Sequence, residues 1–81
     1  MGKLPIISGK SLLKIFKKNG YKVIRQRGSH VFIESDNGLG SVIPLHSNED
    51  LGKGILKSIL SDLELTVENL EDILKRRNEK K

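Results

Sequence analysis

The stretch YKVIRQRGSHVFIES, residues 21–35, decides the fold. Tyr21 to Arg27 and Ser29 to Ser35 each gather β-branched and aromatic residues in a short run without helical periodicity, which is how strands read. Gly28 separates the two runs. Strands joined this tightly form an antiparallel hairpin, and glycine takes a positive φ there at no steric cost. On a period of two, Val31 and Ile33 point one way while His30, Phe32 and Glu34 point the other. We assign Val31 and Ile33 to the core, which leaves His30 on an open face.

Working outward, Asp36-Asn37-Gly38-Leu39-Gly40 is written as a turn, and Ser41 to Leu45 follows as a third short strand. Pro44 lacks a backbone donor and is expected to end that strand's pairing. Upstream, Leu12, Ile15 and Phe16 recur at helical spacing while Lys14, Lys17 and Lys18 fall elsewhere. A helix from about Gly9 to Asn19 is predicted, with Ser8 as N-cap and Asn19-Gly20 as the left-handed stop. Downstream, Ile55, Leu56, Ile59, Leu60 and Leu63 define a second helix whose first turn Gly52 and Gly54 weaken. Thr66 caps a third, striped with Val67, Leu70, Ile73 and Leu74, before a charged tail over 75–81 that should fray. The predicted class is α+β: helix, three-stranded antiparallel sheet, helix and one additional C-terminal helix, with helices on one sheet face. The 81 residues hold one domain, with a core over about 4–74.

Composition narrows the partners. Fifteen Lys and Arg against ten Asp and Glu give a net charge of +5 and a pI near 9.7, which favours polyanions. Cysteine is absent, so neither a disulfide framework nor a thiolate metal site is available, and a cytoplasmic setting fits. The apolar run Leu4 to Ile7, broken by Pro5, is too short for a signal segment or a membrane span.

Gly9-Lys10-Ser11 looks like the end of a phosphate-binding loop, but that motif needs glycine five positions earlier, where Leu4 stands. It reads instead as a capped helix start. His30 is the stronger candidate. It follows a tight glycine turn beside the fixed charges of Arg25 and Arg27, and an imidazole, with an ordinary pKa of about 6.5, can take a proton from a ribose 2′-hydroxyl near neutrality. The arginines can hold the scissile phosphate and offset charge on its transition state. His46, after Pro44-Leu45, is either a general acid paired with His30 or a loop histidine bonded to backbone. Two histidines without a supporting ligand pattern make a poor metal signature, so no metal and no cofactor are expected.

Together these pieces resemble the HicA family of toxin-antitoxin toxins, over about Leu4 to Leu74. The shared features are Ser8-Gly9-Lys10 before a lysine-rich helix, Asn19-Gly20-Tyr21, Arg25-Gln26-Arg27-Gly28-Ser29-His30, Ile43-Pro44-Leu45-His46, and Lys53-Gly54-Ile55-Leu56-Lys57-Ser58-Ile59-Leu60. The resemblance implies a fold like the double-stranded RNA-binding domain, degradation of mRNA, and silencing by a HicB-like antitoxin in a type II system. It makes Gly28-Ser29-His30 the active-site element, with His30 the single catalytic histidine. RNA binding maps more loosely, onto Arg25, Arg27, Gly28, Ser29, Lys53 and Lys57. Some members carry a second histidine directly after the first, where this chain has Val31. Two other readings stay open: an RNA-binding module that does not cut, and an adaptor whose basic face docks an acidic protein.

Overall fold

The computed structural model describes residues 3–46 and 49–76. Its elements run α1 (Gly9–Lys18), β1 (Lys22–Arg27), β2 (His30–Glu34), β3 (Gly40–Pro44), α2 (Lys53–Asp62) and α3 (Val67–Arg76). The three strands form one antiparallel sheet in the order β1-β2-β3. This is the expected α+β arrangement. Of the charged tail, residues 77–81 lie outside the described residues, as do residues 47–48 of the loop after β3.

Both ends of α1 are fixed by local chemistry. The Ser8 hydroxyl accepts the Ser11 N–H at 3.2 Å, which satisfies one of the helix's free donors. At the other end Gly20 takes φ +94°, the Gly20 N–H donates to the Lys17 carbonyl at 3.4 Å and the Tyr21 N–H to the Phe16 carbonyl at 3.0 Å. That is a Schellman closure, completed by the apolar contact it favours, with the Phe16 and Tyr21 rings 4.6 Å apart.

α2 ends the same way, with a different residue at the left-handed position. The Glu64 N–H donates to the Ser61 carbonyl at 3.1 Å and the Leu65 N–H to the Leu60 carbonyl at 2.8 Å, while Glu64 itself holds φ +56°. A side chain in that conformation costs about 1–2 kcal/mol, part of which glycine would return as its own ordering entropy. Glu64→Gly is therefore expected to stabilise the protein by up to about 1 kcal/mol, raising the unfolding midpoint by about 4 °C. Thermal unfolding followed by circular dichroism checks it; an unchanged or lower midpoint refutes it.

Thr66 caps α3 reciprocally with Asn69: the Thr66 hydroxyl accepts the Asn69 backbone N–H at 3.0 Å, and the Asn69 side-chain oxygen Oδ1 accepts the Thr66 backbone N–H at 2.9 Å. Leu70 of α3, fully buried, joins Leu12 and Phe16 of α1, Leu56 and Ile59 of α2, and Val31, Ile33 and Ile43 of the sheet in one core. The core-facing side of the sheet also carries Ser41, whose hydroxyl donates to the Asp62 carboxylate at 2.8 Å and pins the last turn of α2 to β3.

One expectation needs correction. Ile55 does not join the core stripe of α2: it is 45% exposed, because Leu56, Ile59, Leu60 and Leu63 already fill the buried side. Pro44 is the last paired residue of β3, as expected. It stands opposite His30, and the next residue supplies the donor proline lacks, the Leu45 N–H reaching the Ser29 carbonyl at 2.6 Å. Among the described residues no helix is long and apolar enough to cross a membrane.

Candidate active site on the open sheet face

Strand alternation places His30 as expected: Val31 and Ile33 are buried, His30 is exposed and Phe32 half-buried. The arginines reach the same face by a less regular route. Val23 pairs with Ile33, yet Arg25 pairs with Phe32, so Ile24 is an extra residue, a β-bulge in β1. Without it Ile24 and Gln26 would stand opposite Phe32 and His30, and both arginines would turn toward the helices. With it Arg25 faces Phe32 and Arg27 faces His30. The Arg25 guanidinium lies 5.4 Å from the Phe32 ring centre, a cation–π contact that keeps it on that face.

The turn between the strands is two residues long. Gly28 has φ +58° and open space around it, so conformation rather than crowding demands glycine there. The Gln26 side chain braces the turn by donating to the Gly28 carbonyl at 3.1 Å. Ser29 is half-buried and its carbonyl is already committed to Leu45.

That commitment brings the second histidine into the site. Ser29 precedes His30 and Leu45 precedes His46, so one backbone hydrogen bond draws the two imidazoles alongside, with ring centres 6.4 Å apart and planes nearly perpendicular at 85°. Both side chains are exposed. The Glu49 N–H donates to the His46 carbonyl at 2.8 Å.

Behind this segment lies Gly9. A Cβ there would overlap the Pro44 carbonyl oxygen and meet the Leu45 side chain at 3.3 Å. Glycine at this position therefore seats the start of α1 against the strand end that carries His46. Gly9→Ala must push the two apart, at about 1–3 kcal/mol. We expect a lower unfolding midpoint together with shifted His46 ring resonances in proton–carbon NMR spectra. A midpoint and spectrum unchanged from the parent would show that the contact is absent.

The structure does not bring every candidate together. Lys53 and Lys57 are exposed on α2, which packs against the core-facing side of the sheet, and no described contact links them to His30. Lys10, Lys14, Lys17 and Lys18 border a shallow depression over Leu13 on α1, a basic surface whose i, i+4, i+8 spacing is plain in the sequence but reads there as an ordinary solvated face. Among the described residues no group of three or more His, Cys, Asp or Glu side chains is placed to hold a metal ion.

The open face thus carries Arg25, Arg27 and a histidine pair on an α-β-β-β-α framework of the double-stranded-RNA-binding-domain type, with α3 added. A family model described as the HicA toxin of bacterial toxin-antitoxin matches residues 9–65, from the first residue of α1 to just past the end of α2, and the chain belongs to that family. It is a toxin of a toxin-antitoxin system and has an antitoxin as partner. Comparison with curated proteins gave no match.

Proposed function

We propose that this toxin is a metal-independent endoribonuclease that cleaves mRNA in the cytoplasm, with residues 4–74 as its working unit and His30 as its catalytic base. The observation that carries this reading is the pairing of His30 with Arg27 across β1 and β2, with Arg25 next along the same open face. His30 takes the proton of a 2′-hydroxyl, the freed oxygen attacks the neighbouring phosphorus, and the guanidinium groups meet the charge that builds on the phosphoryl oxygens. The Gly28-Ser29 turn lets the RNA backbone approach without a side chain in the way. Lys53 and Lys57, set in the other layer, contribute long-range attraction rather than contact with the reacting phosphate.

The antitoxin, HicB-like, covers the same face. Ile24, at the bulge in β1, is 55% exposed beside the arginines, so the strand offers apolar and cationic groups together, which acidic and apolar groups on a partner complement. Covering His30 then removes free toxin by mass action.

The test is incubation of purified protein with a long mRNA in EDTA, with binding measured on the same RNA. Fragments that disappear on addition of the antitoxin support the reading. Binding without fragments, by the parent and by His30→Ala alike, replaces it with an RNA-binding module that does not cut.

A further inference from the structure

We propose that His46 is the proton donor of the cleavage reaction, acting on the leaving oxygen while His30 acts on the attacking one. This rests on the reading of His30 as the base and supplies the half of the reaction that a single histidine leaves unassisted.

When the 2′-oxygen forms its bond to phosphorus, the bond from phosphorus to the 5′-oxygen breaks and its electron pair goes to that oxygen. An unprotonated alkoxide is a poor leaving group, so a proton must arrive as the bond opens. Among the described residues, the cationic or titratable side chains placed beside His30 are Arg25, Arg27 and His46. Guanidinium groups keep their protons throughout the working pH range and stabilise charge without giving one up. Imidazole gives and regains a proton near neutrality. His46 is therefore the one of the three suited to the task.

Its placement fits. The rings stand 6.4 Å apart and edge to face, and both imidazoles are exposed on the open face where the substrate would lie. His30 is held by the β2 ladder, and His46 follows a segment tied to Ser29 on one side and seated against Gly9 on the other. The step balances without a co-reactant. The 2′-hydroxyl proton passes to His30, His46 gives its proton to the 5′-oxygen, and the products are a 2′,3′-cyclic phosphate and a 5′-hydroxyl. Solvent then resets both imidazoles.

A short RNA whose scissile 5′-oxygen is replaced by sulfur separates the two roles, because a thiolate leaves without a proton. With the full chain, His46→Gln is expected to slow cleavage of ordinary RNA by about 10²–10⁴-fold and of the 5′-thio RNA by less than about tenfold, while His30→Gln slows both. Equal losses on the two substrates, no loss at all, or rescue of His30→Gln instead of His46→Gln overturns the assignment and leaves the ribonuclease reading standing. A parent protein that leaves both RNAs intact overturns the ribonuclease reading, and this one with it.

Discussion

His30→Ala is expected to lower RNA cleavage by about 10²–10⁴-fold, the range that one positioned proton-transfer group supplies, or about 3–5 kcal/mol of transition-state stabilisation. The fold should not register the change. His30 is exposed and its side chain points away from the core, on the opposite side of the strand from the buried Val31. RNA affinity should also persist, because Arg25 and Arg27 keep their charge and Arg25 keeps its seat over Phe32. Single-turnover cleavage in EDTA, filter binding and thermal unfolding together form the measurement. Full activity in the variant would remove His30 from the mechanism. A loss of cleavage that tracks a loss of binding would make it an RNA contact instead.

The largest effect on stability is expected from Phe16→Ala. Phe16 is fully buried, the largest side chain that is so, and it serves twice: as core filling between α1 and the sheet, and as the apolar partner of Tyr21 in the α1 closure. Removing a buried phenylalanine typically costs about 3–5 kcal/mol. A chain of 81 residues has a total of about 4–12 kcal/mol to lose from. The unfolding midpoint should fall by more than about 10 °C, and activity at growth temperature should fall with it although Phe16 is remote from the open face. A fall of less than about 3 °C would mean that the helix layer repacks around the gap.

Much of this was legible before any coordinates. Ser8, Asn19-Gly20 and Thr66 mark helix ends because caps are local chemistry, settled within three or four residues. The face of His30 followed from a period of two along Val31, Phe32 and Ile33, and the hairpin from Gly28. What stayed hidden was non-local. The bulge at Ile24 leaves no mark on composition: an extra isoleucine in a strand looks like any other, yet it decides on which side Arg25 and Arg27 stand. The approach of His46 to His30 was concealed by Pro44, since a proline announces the end of a ladder and says nothing of the donor one residue later. Gly9 read as a harmless first helical residue because the carbonyl it must clear belongs to a strand far along the chain. Ile55 and the lysines of α2 were placed by periodicity and by family likeness, and neither says which part of a helix the sheet will cover.

β1 is the strand from which the arginines are presented, and every one of its six residues is exposed. Its place in the sheet is kept by main-chain pairing to β2 rather than by side chains sunk into the interior. Substitutions along it escape the usual penalty that ties a binding surface to the folding of its own scaffold. On the proposed reading, in which the antitoxin covers this face, the positions of β1 other than Arg25 and Arg27 can vary with the antitoxin at little cost to folding, while the two arginines stay fixed by the reaction. A swap of β1 between two related chains should accordingly carry antitoxin preference with it and leave the unfolding midpoint almost where it was.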